Sequence, residues 1–240
     1  MKIAIVHLCG TIGKSTIAGQ MLRPRIGVEH IYDVETQNTG AGADGVKVRR
    51  ISGKEYGKML DTLMREEKAV VDVGSSNFEG FLKEMQRHSG SEEEFDFFVV
   101  PVINDKRVIA ETIKTIRTLA AIGVEKNKIR VIFNKIDLED GPNIESTFAP
   151  LFGLAASEHN CVVNKNAVLY ENDAYQELKQ VAISIDDLVA DETNYRAVLR
   201  DNKGDVDAED KAIFRLKLKS TAKTANENMD RAFEALFESA

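Results

Sequence analysis

The chain has 240 residues, 43% of them hydrophobic and 30% charged, with a formal net charge of -7 at pH 7. That composition excludes a disordered chain and is ample for a buried core, most naturally one large α/β domain with an appendage. The negative balance excludes a surface that coats nucleic acid throughout, so any DNA contact has to be local.

Six short, β-branched runs read as strands: KIAIVHL (2–8), VEHIYDV (28–34), KAVVDVG (68–74), FDFFVVPV (95–102), KIRVIFNKID (128–137) and NCVVN (160–164). Each is bounded by Gly, Pro, Asn or Asp and is apolar enough to be buried on both faces. Between them KSTIAGQMLRPRI, GKEYGKMLDTLMREE, SNFEGFLKEMQRH, KRVIAETIKTIRTLAAIG and NIESTFAPLFGLAASE place apolar residues at helical spacing. In the fourth, Val108, Ile109, Thr112, Ile113, Ile116, Leu119 and Ala120 make one face; Asp105 can cap its start and Gly123 can end it. This alternation predicts an α/β fold, a doubly wound and mainly parallel sheet flanked by helices, with ligands at the carboxyl ends of its strands.

From about Ile183 the pattern changes, and the organisation expected is a sheet domain over residues 1–185 with a helical extension over 186–240. Leu218, Ala222, Ala225, Met229, Ala232 and Leu236 form one apolar seam, read first as packed on the chain's own domain and alternatively as a partner or dimer seam. Lys211, Arg215, Lys217, Lys219 and Lys223 cluster on the same segment; they can hold DNA phosphates or form an ordinary solvated face. No apolar run is long enough to span a bilayer, and MKIAIVHLCG is too short for a signal peptide, so the expected location is the cytosol. Two cysteines, Cys9 and Cys161, make no disulfide framework and fit a reducing compartment.

The chemistry concentrates at three strand ends. After the first strand, Gly10, Thr11, Ile12, Gly13, Lys14, Ser15 and Thr16 lead into a helix. Glycines let such a loop curl so that backbone N–H groups face phosphate oxygens at the positive end of the helix. Lys14 is placed to meet the β- and γ-phosphates and Ser15 to ligate magnesium. The full pattern G-x-x-x-x-G-K-[ST] is incomplete, because Leu8 holds its first glycine position. VVDVGSSN ends a strand in Asp72, a candidate for holding a magnesium-bound water, and IYDVETQN supplies Asp33 and Glu35, candidates for aligning water around the metal or at the phosphate. At the end of FNKID, Asn134 can hydrogen-bond a purine ring and Lys135 can cover it with its aliphatic stem. The histidines are scattered without metal spacing, His7 reading as a packed side chain, and G-x-S-x-G and G-x-G-x-x-G are absent, which removes nucleophile-elbow and hydride-transfer chemistry.

These motifs resemble the deviant-Walker ATPases of the ParA/MinD type. CGTIGKST resembles their phosphate loop, DVETQN their D-x-D-x-Q segment, VVDVGSSN their second Walker motif and VIFNKID their base-binding strand, while GSSNFEGFL and LRPRI resemble the StbB type of plasmid stability protein. The resemblance covers roughly residues 1–185. It implies ATP or ADP with Mg2+, slow hydrolysis, a nucleotide-dependent homodimer, a plasmid-encoded DNA-binding partner, and work in plasmid stability, partition or positioning of DNA. Three positions depart from it: Cys9 stands where the family has a signature lysine, Glu35 replaces the second Asp of the pair, and Thr11 replaces the second loop glycine. Arg23, Arg25 and Lys106 are candidates to replace the lysine's charge. Asn134, Lys135 and Asp137 also spell the guanine-reading N-K-x-D, leaving GTP as an alternative to the favoured ATP. A switch that recruits a partner with little hydrolysis, and a metabolic P-loop enzyme, are the competing classes.

Overall fold

The computed structural model describes residues 1–34, 45–51 and 55–238. Among these, seven strands form a single parallel sheet: β1 (Lys2–Ile5), β2 (Ile31–Val34), β3 (Val48–Arg50), β4 (Ala69–Val73), β5 (Phe97–Val102), β6 (Ile129–Ile136) and β7 (Val162–Tyr170). Their spatial order is β3-β2-β4-β1-β5-β6-β7, so the sheet winds outward in both directions from β1. A parallel strand needs a crossover, and apart from the link between β2 and β3 the crossovers carry helices. The first is a continuous helical stretch built from α1 (Lys14–Thr16), a π-helical segment (Ile17–Leu22) and α2 (Arg23–Ile26). Then come α3 (Tyr56–Leu63), α4 (Phe78–Arg87), α5 (Lys106–Ala121), α6 (Ile144–Thr147) and α7 (Ala149–Glu158), followed after β7 by α8 (Ala174–Val181), α9 (Ile185–Ala190), α10 (Tyr195–Asp201) and α11 (Val206–Phe237).

Strand alternation divides the interior into two layers. Ala4, Val6, Val71, Val100 and Phe133 point to one face, where Met59, Phe81, Ile116 and Leu151 of α3, α4, α5 and α7 cover them. Ile3, Ile5, Val70, Val99 and Ile132 point to the other, which is covered by Ile17, Met21 and Ile26 of the first crossover and by α8, α9 and α11. The apolar seam of α11 lies flat on this second face, with Leu218, Ala222, Ala225, Met229, Ala232 and Leu236 all buried. Without α11 much of that face would be bare. Asn228, also buried on α11, accepts from the Tyr170 N–H and donates to the Val168 carbonyl, the two-point pattern that a neighbouring strand would offer β7. Lys219, grouped by sequence with the basic cluster, donates instead to the Asp191 backbone carbonyl.

Expected caps appear where the sequence puts them. Asp105 accepts from the Val108 N–H at 2.9 Å, and Gly123 takes the left-handed φ of +102° that ends α5. β1 stops at Ile5 and β2 starts at Ile31, each three residues inside the expected run, and two other strands differ more. β3 went unread because two of its three residues are arginines; it exists because β2 offers it a ladder. β7 runs six residues past the expected end, since Lys165 and Asn166 are exposed polar residues that break the apolar pattern.

Pro24 in the first crossover has no N–H to give a preceding carbonyl. The neighbouring arginines take over: Arg23 Nε donates to the Gly19 carbonyl at 3.1 Å, and Arg25 Nη1 donates to those of Gln20 and Met21 at 3.3 and 3.2 Å. The same guanidinium groups pair with Asp186 and, at 2.7 Å, with Asp230, tying this helix to α9 and α11. Both arginines are therefore structural, and Lys106, exposed at the start of α5, is the remaining one of the three candidate cations. No helix among the described residues is long and apolar enough to cross a membrane.

Candidate functional site

At the carboxyl ends of the strands a cleft of about 1010 Å³ brings together Gly10, Thr11, Gly13, Lys14, Ser15 and Thr16 with Asp33, Asp72, Asn134 and Lys135. Five crossovers separate some of these residues in sequence, and the parallel sheet delivers them to one edge. Ile12 is the exception in the loop: its side chain turns down into the core and anchors the turn. Glu35 lies outside the described residues.

The loop is held from several sides. Gly13 sits at φ +87° and ψ 18°, a left-handed conformation that lets the chain enter the helix; the Gly13 carbonyl accepts from the Ile17 N–H at 3.0 Å. Four successive loop carbonyls each take a side-chain donor. Lys14 Nζ donates to Cys9 at 2.8 Å, the Thr11 hydroxyl to Gly10 at 2.8 Å, Lys135 Nζ to Thr11 at 3.0 Å and Asn134 Nδ2 to Ile12 at 2.8 Å. Below the loop, His7 is fully buried and its Nδ1 accepts from the Cys9 N–H at 2.8 Å. The ring proton is thereby assigned to Nε2, which meets the Thr112 hydroxyl at 2.9 Å; that hydroxyl in turn donates to the Val108 carbonyl at 2.7 Å. Burial, with Lys14 second, lowers the His7 pKa to about 3, so the ring is neutral at physiological pH. The loop is thus tied to the first turns of α5 by a chain of hydrogen bonds.

Asp33 and Asp72 are partners in register on β2 and β4, so their side chains share a face, and both are only 2% exposed. Neighbouring strands lie about 4.8 Å apart, which puts the carboxylates side by side in the cleft that Lys14 and Ser15 also line. This face carries the first crossover helix. Among the described residues no group of three or more His, Cys, Asp or Glu could cage a metal. A hard cation such as Mg2+ needs no such cage, because it binds through one or two carboxylates or hydroxyls together with substrate phosphates and water. Ser15 with Asp72 and Asp33 is an oxygen set of that kind.

The chain matches solved structures in fold over its whole length. The MinD cell division protein of Aquifex aeolicus aligns over 100% of this chain and 98% of its own, with 12% identity and a TM-score of 0.56. The MinC:MinD cell division protein complex from the same organism gives 11% identity and a TM-score of 0.59, over 100% and 96% of the two chains. The fold is that of MinD. No protein-family model matches the sequence, and no curated protein matches it.

Within this MinD-like fold the cleft continues past Lys135 to residues that the motifs do not mark. Leu169 to Asp173 at the end of β7, Tyr175, Gln176, Lys179 and Gln180 of α8, and Met229 of α11 line its far half. The polar run Glu171, Asn172, Asp173 immediately after an apolar strand was the available signal, visible once β7 is extended to Tyr170. Asp137 is exposed and does not line the cleft. Cys9 is half-buried, and burial, then Glu111, raise its thiol pKa, so it carries no charge at neutral pH.

Proposed function

We propose that the chain is a ParA/MinD-like protein that binds ATP or ADP with Mg2+, hydrolyses ATP slowly, and acts in plasmid stability, partition or DNA positioning, in the manner of the StbB type. The observation that carries this reading is the joint placement of the glycine loop, Lys14, Ser15, Asp33 and Asp72 in one cleft at the carboxyl edge of the sheet. An elongated polyanion fits there: phosphates against the loop N–H groups and Lys14, the nucleoside toward β7 and α8. In this reading Lys14 exchanges the Cys9 carbonyl for phosphate oxygens, and Ser15 with Asp72 holds the metal. Glu35 or Asp33 places the attacking water. Bound Mg2+ would supply charge neutralisation on the phosphates. Residues 1–185 serve as the ATPase unit and 186–240 as its helical extension. A nucleotide-dependent homodimer and a plasmid-encoded DNA-binding protein are the partners this reading requires, with weak DNA contact through Lys211, Arg215, Lys217 and Lys223, Lys219 being held by the Asp191 carbonyl.

Cys9 favours a second reading. A neutral thiol cannot provide the charge of the signature lysine, and loss of a transition-state cation of that kind costs on the order of a thousandfold in phosphoryl transfer. The protein then works as a nucleotide-controlled switch that recruits a partner and barely hydrolyses. Lys14→Ala tests both versions: it should abolish nucleotide-dependent assembly with the fold intact, and wild-type ATP affinity in that variant would refute the site. Turnover with and without DNA separates an active ATPase from a switch.

A further inference from the structure

We propose that Asn134 and Lys135 are positioning residues that brace the phosphate loop from β6, acting on the phosphate chain of the ligand rather than on its base. The inference rests on reading the cleft as a nucleotide site.

Three observations support it. Asn134 is 8% exposed, and its amide sits in the notch that glycine leaves at position 13: a Cβ there would fall well inside 3.0 Å of Nδ2, a separation that real Cβ atoms essentially never show. From the notch it donates to the Ile12 carbonyl. Second, consecutive residues of a strand point to opposite faces, so Asn134 and Lys135 could not both reach one loop if β6 stayed regular. It does not stay regular. Its pairing with β7 shifts register between Phe133 and Ile136, and Lys135 adopts a left-handed φ of +53°. Bulges of this kind re-aim side chains beside functional sites, and a non-glycine residue held in left-handed backbone persists where its surroundings over-determine it. Third, the two donors land on successive carbonyls, Thr11 and Ile12. Across a trans peptide the carbonyl of one residue and the N–H of the next point in opposite directions, so pinning these oxygens also fixes the directions of the Ile12 and Gly13 N–H groups. A loop whose amides are aimed before the ligand arrives does not have to be ordered by it.

A base-free ligand separates this role from base reading. Binding of inorganic tripolyphosphate and of a non-hydrolysable ATP analogue, both with Mg2+, is measured by calorimetry on the wild type, Asn134→Ala, Lys135→Ala and Lys135→Arg. The brace predicts that Asn134→Ala weakens both ligands by the same factor, about 5- to 150-fold, the range for removing one partner of a buried hydrogen bond. Lys135→Ala should weaken both about 2- to 5-fold, less because the side chain is exposed, and Lys135→Arg, which keeps a donor, should restore both. Loss of affinity for the ATP analogue alone, with tripolyphosphate unchanged, would make these residues base readers and overturn the inference, as would unchanged affinity for both ligands. If Asn134→Ala fails to fold, the exposed Lys135 variants decide the matter. A wild type that binds neither ligand would bring down the nucleotide reading itself, an outcome distinct from all of these.

Discussion

Replacing Gly13 with alanine should damage the loop through two separate terms, both visible in the geometry. The residue holds φ +87°, where an L-residue costs roughly 1–2 kcal/mol. Its new methyl would also collide with the Asn134 amide, which can yield only by giving up its bond to Ile12. A buried amide left unsatisfied costs about 1–3 kcal/mol. Together the expected loss is about 2–5 kcal/mol of stability, which for a chain of this size is a fall in Tm of roughly 4–20 °C. Thermal unfolding by circular dichroism reads it directly, and calorimetry with the ATP analogue should show weakened binding at a temperature where the variant is still folded. A Gly13→Ala protein with wild-type Tm and wild-type affinity would refute the loop conformation on which the reading of the site depends.

Two further outcomes follow from groups around the loop. His7 has a folded pKa of about 3 against 6.5 when unfolded, so between those values the unfolded chain binds a proton that the folded chain refuses. Its contribution is therefore intact above pH 6.5 and lost at about 1.4 kcal/mol per pH unit as pH falls toward 3. Urea midpoints from pH 7 to pH 4.5 should fall more steeply for the wild type than for His7→Gln; equal slopes would remove the buried neutral histidine from the account. Arg25→Ala should cost about 2 kcal/mol, because it removes the guanidinium that donates to the Gln20 and Met21 carbonyls beside Pro24 and releases Asp230, whereas Asp230→Ala, whose carboxylate is half exposed, should cost under about 1 kcal/mol. Equal losses would show that the surface ion pair, rather than the helix carbonyls, is what Arg25 serves.

Much of this fold is legible in the sequence because its signals are local. Six apolar runs bounded by turn residues, and helical faces such as Val108 to Leu119 with Asp105 as cap, need only near neighbours to be read. The loop is legible for the same reason, since Gly13, Lys14 and Ser15 are adjacent. What escaped is set by tertiary contact. β3 has no apolar pattern of its own and exists through β2. The cleft-lining Glu171, Asn172, Asp173, Tyr175, Gln176, Lys179 and Gln180 follow β7, whose end is pinned to α11 through Asn228, a contact no local pattern marks. Arg23 and Arg25 read as free cations in sequence, whereas in the fold they donate to helix carbonyls beside Pro24 and pair with acids of α9 and α11. Asn134 stands out in the sequence by residue type and strand-end position, but its hydrogen-bond partner, the carbonyl of Ile12, is 122 residues away and no local pattern could have named it.

The proposed function requires the cleft to bind a purine nucleotide with Mg2+, adenine preferred. Its most direct test is calorimetric titration of the purified, nucleotide-free protein with a non-hydrolysable ATP analogue and then its GTP counterpart, each with and without Mg2+. Tight, Mg2+-dependent binding with preference for the adenine analogue is expected; binding of neither nucleotide would refute the nucleotide reading and leave the glycine loop as a structural turn that happens to hold a lysine.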